Sequence, residues 1–128
     1  MHFGEHVTVD GYDGAPHLLD NRAVVEECLS ELCQLLGMHP LAPALVINAP
    51  DNHLKDPGGW SGFLVISESH LAVHTFPKRR FLSADVYTCR NGMDSDTIKA
   101  FFVSRFELQD VELNFIKRGL RYPLHNIA

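Results

Sequence analysis

The sequence is poor in cysteine and has no long hydrophobic run. Its three cysteines, Cys28, Cys33 and Cys89, are odd in number and form no CxxC pair, which argues against a disulfide framework and against a sulfur-ligated zinc site. No apolar stretch approaches the length that spans a membrane, and the N-terminus lacks a basic start followed by an apolar run. We therefore expect a cytoplasmic protein, with reduced thiols and no membrane partner.

Basic residues are also few. The formal net charge is -5, and the 11 lysines and arginines are scattered except at 78–80 and 117–118, so no surface attractive to phosphate backbones is expected. This excludes nucleic acid as the expected partner, whereas the negative balance is compatible with a cationic small molecule. Hydrophobic residues form 45% of the 128-residue chain, which fits a single globular domain covering 1–128.

The spacing of apolar residues predicts two helices and six strands. The first helix is predicted over 19–36, with Asp20 or Asn21 as its cap and Gly37 at its end, and the second is predicted to begin at Asp94 or Ser95. Strands are predicted at 7–10, 44–47, 62–67, 71–76, 81–89 and 111–115. This order predicts an α+β fold, a two-layer sandwich in which a mostly antiparallel sheet carries two helices on one face.

One serine lies at the predicted junction between two strands. Ser69 follows Glu68, and His74 comes five residues later. Attack of the Ser69 oxygen on the Glu68 carbonyl would turn the peptide into an ester, and loss of the α-proton would then expel the Glu68 carboxylate and leave dehydroalanine. Hydrolysis would give a pyruvoyl group, whose ketone can form a Schiff base with a substrate amine and withdraw electrons from the adjacent carbon. The alternative from local chemistry is a polar serine at a turn.

The motifs around this serine resemble a known family. They are Ser61-Gly62, then Ile66-Ser67-Glu68-Ser69-His70-Leu71, His74-Thr75-Phe76-Pro77 and Asp85-Val86-Tyr87-Thr88-Cys89. In order and spacing these resemble the bacterial and archaeal S-adenosylmethionine decarboxylases. The resemblance runs from about Phe3 to about Gly119 and is strongest between Ser61 and Cys89.

The resemblance implies a self-processing enzyme of polyamine biosynthesis. Cleavage between Glu68 and Ser69 would give fragments 1–68 and 69–128, the second starting with the pyruvoyl cofactor. Ser61 and His74 match the family's processing residues, and Cys89 matches its catalytic proton donor. A thiol with a pKa of about 8.5 is mostly protonated at neutral pH, which agrees with that role. The resemblance also implies a homodimer of processed units that pair through their sheets.

Each of these residues also has an ordinary structural interpretation. His74 alone is typical of a hydrogen-bonded strand histidine, Cys89 of a small buried residue, and Glu68 of a solvated turn carboxylate. His70 and His74 are four residues apart in a predicted strand, hence about 13 Å from each other, so they predict no metal site.

The sequence departs from the family pattern just before Ser61. The family commonly shows His-x-Phe-x-Pro-x-Gly there, whereas residues 48–60 of this chain lack that aromatic element. Aromatic faces stack on adenine and attract a sulfonium, so Trp60 or His53 would have to replace the missing ring.

The substrate is therefore open at this point. Asp10 occupies a position where the family often has a carboxylate on the first strand, so it is a candidate substrate ligand or else an exposed strand-end residue. Asp51 and Asp56 could pair with the far amine of ornithine or the guanidinium of arginine, which makes these amino acids the alternative substrates. An uncleaved homologue that only binds a ligand is the second alternative.

Overall fold

A computed structural model describes residues 2–55 and 57–123 of the chain. The helices are α1, Pro16–Leu19, α2, Arg22–Leu35, and α3, Ser95–Phe106. The strands are β1, Gly4–Tyr12, β2, Leu45–Ala49, β3, Gly59–Ile66, β4, Ser69–Phe76, β5, Phe81–Thr88, and β6, Asp110–Arg118. None of the helices in these residues is long and apolar enough to cross a membrane.

The strands form one antiparallel sheet in the order β2-β3-β4-β5-β1-β6. Val7, Val73 and Val86 lie on one side of this sheet and are fully buried in one core with residues of α2 and α3. We call the other side the open face. The predicted α+β sandwich, with its two long helices on one face, is confirmed.

A glycine sets how closely α2 packs on the sheet. A Cβ atom at Gly62 of β3 would lie 2.9 Å from Leu29 Cδ1 and 3.0 Å from Val25 Cγ1, both on α2. These contacts are tighter than ordinary carbon–carbon contacts, so a larger residue at this position would have to displace the ends of both side chains. The strand that carries Ser61 is thereby fixed against the helical layer.

The first long helix begins later than the apolar spacing predicts. Asn21 is the cap, and its side chain accepts from the Val24 N–H at 3.1 Å, so the helix starts at Arg22 and not at residue 19. Residues 16–19 form the separate turn α1, which starts at a proline already fixed in a helical φ. Asp20 does not cap α2, because its carboxylate accepts a hydrogen bond from Trp60 Nε1 at 3.1 Å.

The hairpin between β3 and β4 also differs from the prediction. The predicted strands left residues 68–70 as the junction, whereas Ser69 and His70 are the first two residues of β4. The turn consists of Ser67 and Glu68, and Ile66 pairs directly with Ser69. The serine is therefore held by the strand ladder immediately after the turn.

Candidate active site

The turn before Ser69 carries backbone strain. Glu68 has a φ of 56°, in the left-handed region that residues with a Cβ seldom adopt. Such a conformation costs on the order of 1–3 kcal/mol and persists only where the surrounding structure enforces it. Here the ladder between β3 and β4 enforces it at the residue whose carbonyl precedes Ser69.

Ser69 and Cys89 lie together at the end of the sheet. The backbone N–H of Cys89, which directly follows β5, donates to Ser69 Oγ at 3.1 Å. Both residues line a cavity of about 200 Å³. The structure thus brings together the predicted cleavage serine and the predicted proton donor.

The three thiols differ in environment. Cys28 is fully buried in the core, and burial raises its pKa to about 12. Burial also raises the pKa of the Cys33 thiol, which donates to the Met38 carbonyl at 3.3 Å. Cys89 is half-buried, so it is the most accessible of the three thiols to a small molecule.

Ser61 and His74 form a second pair of candidate residues. They are direct neighbours across β3 and β4, and Ser61 Oγ lies 2.9 Å from His74 Nδ1. His74 is exposed on the open face. Ser69 and His74 are at opposite ends of β4, and five residues of a strand span about 16 Å. One chain therefore does not bring the pair into contact with Ser69 and Cys89.

The candidate substrate ligands are scattered over the chain. Asp10 lies on the open face, where its cross-strand neighbour Ser83 is also the neighbour of His74. Trp60 packs against the core on the helical side, with its indole N–H bound to Asp20. Asp51 is in the exposed loop after β2, where its carboxylate accepts from the His53 N–H at 2.7 Å. Asp56 lies outside the described residues.

The cavity beside Ser69 has lining residues that the sequence did not indicate. Met38 and His39 follow the end of α2 and line the cavity opposite Ser69 and Cys89. A hydrogen bond of 2.9 Å from the Leu41 N–H to the Val65 carbonyl, and a bridge between Pro40 and Ile66, hold this segment along β3. No sequence motif marks it, because its position depends on where the chain returns to the sheet edge.

Part of the open face is apolar and uncovered. Leu45 and Ile47 of β2 and Phe63 and Val65 of β3 are 42 to 58% exposed, and Leu45 and Phe63 are direct cross-strand neighbours. Contiguous apolar patches of this kind on a soluble domain mark interaction surfaces. The patch lies beside the Ser61–His74 pair, since Ile47 is the neighbour of Ser61.

Comparison with known proteins gives consistent matches over nearly the whole chain. A family model described as S-adenosylmethionine decarboxylase matches residues 5–119. The S-adenosylmethionine decarboxylase proenzyme of Clostridium botulinum strain Langeland is 32% identical over 116 residues, which cover 91% of this chain and 94% of that protein. S-adenosylmethionine decarboxylase proenzyme 2 of Bacillus cereus is 30% identical and covers 92% of this chain and 90% of its own length.

A solved structure has the same fold. The crystal structure of the adenosylmethionine decarboxylase from Aquifex aeolicus VF5 superposes with a TM-score of 0.78, covering 93% of this chain and 92% of that one. The sequences of the two are 18% identical, so this likeness concerns the arrangement of strands and helices.

Proposed function

We propose, since this chain belongs to the S-adenosylmethionine decarboxylase family, that it cuts its own backbone between Glu68 and Ser69 and decarboxylates S-adenosylmethionine with a pyruvoyl group made from Ser69. The chain is a decarboxylase by its family. The observation that carries the self-cleavage is the position of Ser69, directly after a strained turn and hydrogen-bonded to the backbone of Cys89.

The cleavage uses atoms that the hairpin already places together. The Ser69 hydroxyl attacks the preceding Glu68 carbonyl, and the peptide becomes an ester with release of strain at Glu68. Loss of the Ser69 α-proton then breaks the bond between Cβ and oxygen, so that the serine oxygen leaves on the new carboxylate of Glu68. Water hydrolyses the remaining enamine to the ketone and releases ammonia. The products are fragments 1–68 and 69–128.

The cavity beside Ser69 fits the pyruvoyl group and its proton donor. When present, the group's ketone accepts the substrate amine and withdraws electrons from the carbon that loses carbon dioxide. Cys89 lines the same cavity, which supports its thiol as the group that donates a proton from Sγ to that carbon. The cavity volume of about 200 Å³ is below the roughly 300–1,000 Å³ of typical ligand sites, so the substrate needs further walls.

A homodimer supplies what one chain lacks. Within one chain the Ser61–His74 pair is about 16 Å along β4 from Ser69, too far to exchange protons with it. Ser69, like Leu71 and Val73, lies on the core side of β4, so when two open faces pack against each other His74 of one copy can approach Ser69 of the second only around the end of the sheet. The apolar patch of Leu45, Ile47, Phe63 and Val65 supports this pairing, because it leaves 42 to 58% of each side chain in water.

Asp10 is the best-placed candidate ligand for the positive charge of the substrate. It shares the open face with His74, and the two are separated by one strand, about 10 Å. Trp60 and Asp51 are bound to other groups of the chain, on the helical side and in the β2–β3 loop. We therefore assign Asp10 as the residue that pairs with the positive sulfonium of the substrate. Because the Asp51 carboxylate is hydrogen-bonded within its own loop, it gives no reason to prefer arginine or ornithine over S-adenosylmethionine.

Intact mass spectrometry and a substrate comparison test the proposal together. The purified protein is expected to give two masses, those of 1–68 and of 69–128 with its first residue converted to pyruvoyl. Carbon dioxide is expected from S-adenosylmethionine and not from arginine or ornithine supplied in parallel. One uncut mass in active protein would overturn the self-cleavage, and release from arginine or ornithine alone would overturn the substrate.

An uncleaved chain without decarboxylase activity that still bound S-adenosylmethionine would favour a ligand-binding homologue.

A further inference from the structure

Three side chains on neighbouring strands meet on the open face near the start of β4. Asp85 Oδ2 lies 2.8 Å from His6 Nε2 and 3.0 Å from His70 Nε2. His6 is on β1, Asp85 on β5 and His70 on β4, and all three are half-buried. We call this group the Asp85 clamp.

The positions of the protons in the Asp85 clamp follow from a contact with a fourth residue, Arg118. Arg118 Nη1 lies 3.0 Å from His6 Nδ1, and an arginine can only donate. Nδ1 of His6 therefore accepts, its proton is on Nε2, and Nε2–H donates to Asp85. The Asp85 carboxylate accepts from His70 Nε2–H in the same way.

The cluster could be a metal site or a hydrogen-bonded group, and these proton positions favour the second interpretation. The three ligand atoms lie within 4.8 Å of one another, a spacing that could hold a metal ion. A metal ligand must offer a lone pair, however, so an ion would have to displace the protons that this hydrogen-bonded arrangement puts on both Nε2 atoms. The positive Arg118 guanidinium beside His6 also opposes a cation. The geometry favours a hydrogen-bonded clamp.

Ring contacts fix His70 further. Its imidazole stacks on Phe63 of β3, with centroids 5.3 Å apart and planes 25° apart, and contacts Tyr87 of β5 at 5.6 Å. The guanidinium of Arg118 lies 4.9 Å from the Tyr87 ring centroid. The residue after Ser69 is thus held from both neighbouring strands.

Self-cleavage removes two of the restraints on Ser69. The turn of Ser67 and Glu68 is severed, and the hydroxyl oxygen that accepts from the Cys89 N–H departs with Glu68. The start of β4 then becomes a chain end, and chain ends fray unless side chains hold them. The Asp85 clamp does not involve any atom that the cleavage removes.

We propose, on the basis of the proposed self-cleavage, that Asp85 is a positioning residue: through His70 and His6 it holds the newly formed chain end of β4 beside Cys89. Its contribution is small while the turn is intact and becomes large after the turn is cut. Asp85 touches neither Ser69 nor Cys89 in the described contacts, so its effect on turnover passes through the position of residue 69.

Hydrogen exchange in cut and uncut chains tests this role. Asp85→Asn is made in the wild-type chain and in a Ser69→Ala chain that cannot cut itself, and the amides of residues 70–73 are followed by mass spectrometry. His70→Phe is the second variant, because it keeps a ring against Phe63 but loses the donor to Asp85. Glu31→Gln is the matched control, since it weakens the Glu31–Arg105 ion pair in the helical layer.

The Asp85→Asn chain is expected to cut itself, which a denaturing gel shows as two fragments. Hydrogen exchange of amides 70–73 is expected to be about tenfold faster in the cut Asp85→Asn chain than in the cut wild type. In the uncut Ser69→Ala chain, Asp85→Asn is expected to leave this exchange unchanged. The decarboxylation rate at saturating substrate is expected to fall, and Glu31→Gln is expected to change neither quantity.

The positioning role alone would be overturned if both Asp85→Asn and His70→Phe changed the exchange of amides 70–73 in the same way in cut and uncut chains. This includes the case in which neither variant accelerates exchange in either chain. A wild-type chain that stays intact would overturn the proposed self-cleavage, and this inference with it.

Discussion

The backbone N–H of Cys89 donates a hydrogen bond of 3.1 Å to the hydroxyl of Ser69. Because the donor belongs to the main chain, this bond survives the loss of the Cys89 side chain. The restraint on Ser69 and the proton-donor role proposed for the thiol are therefore two separate properties of Cys89. They can be separated experimentally.

Replacing Cys89 by alanine is expected to leave self-cleavage intact and to slow decarboxylation by about a hundredfold or more, since a positioned general acid contributes about 10²–10⁴ in rate. Gel electrophoresis of the denatured protein measures the first effect, and carbon dioxide release measures the second. Wild-type turnover in the variant would remove Cys89 from its assigned role. Loss of cleavage would show instead that the thiol itself takes part in processing.

Mixing two defective chains tests whether His74 acts across a dimer. Ser69→Ala retains His74 but has no cleaving hydroxyl, and His74→Ala has the hydroxyl but no imidazole. Neither chain is expected to cut itself when produced alone. Co-expression is expected to yield cleaved His74→Ala chains, because the partner copy supplies the histidine. Absence of any fragment from the mixture would mean that His74 acts within its own chain.

A charge in the apolar patch is expected to weaken the dimer. Leu45 is 58% exposed on the open face, and Leu45→Glu would place a carboxylate in the proposed interface, where it would lose its hydration. Analytical ultracentrifugation is expected to find a dimer for the wild type and a monomer for the variant. Leu35→Glu is the matched control, because Leu35 is 54% exposed but lies on α2. Equal dimerisation of both variants would place the interface elsewhere.

Acid is expected to loosen the segment after Cys89, because protonation of Glu5 weakens its hold on that segment. This buried carboxylate accepts from the Met93 N–H at 2.8 Å. Burial acts to raise the pKa of Glu5, but backbone donors at Met93 and Gly92 together with the His2 imidazole outweigh it, so the pKa lies below its usual 4.5. A carboxyl with a lowered pKa stabilises the fold at pH values above 4.5, and this stability is lost as the pH falls through the lowered pKa.

Glu5→Gln should therefore reduce the free energy of unfolding at pH 7, and the difference from wild type should shrink well below pH 4.5. Urea unfolding at the two pH values measures both quantities. A difference of the same size at both values would mean that the charge of Glu5 does not contribute.

Periodicity was sufficient to predict the layers of the fold. The alternation in β1 and β5 and the three- and four-residue spacing in α2 and α3 reflect burial on one side, which the sequence records directly. The predicted junction at 68–70 lies later than the turn at 67–68, because the turn depends on a left-handed Glu68. A glutamate carries no signal for that conformation, whereas glycine or asparagine would.

Candidate site residues could be named from the sequence, but the contacts that strand register decides could not. The resemblance of their motifs to the family identified Ser61, Ser69, His74 and Cys89, and their roles stay predictions. The contact between Ser61 and His74 in the β3–β4 ladder was not predicted. The Asp85 clamp joins three strands whose residues are up to 79 positions apart. Its existence depends on the registers of two ladders, which a single sequence does not specify.

The order of strands has a consequence for the two pieces that the proposed self-cleavage would give. Counting across the sheet, β2 and β3 belong to the upstream piece, β4 and β5 to the downstream one, β1 again to the upstream and β6 to the downstream. Strands of the two pieces alternate in the sheet, and three strand pairs, β3–β4, β5–β1 and β1–β6, join the pieces by main-chain hydrogen bonds. A cut in the backbone here does not let the two pieces dissociate. Under native conditions they should elute and sediment together and unfold in one thermal transition.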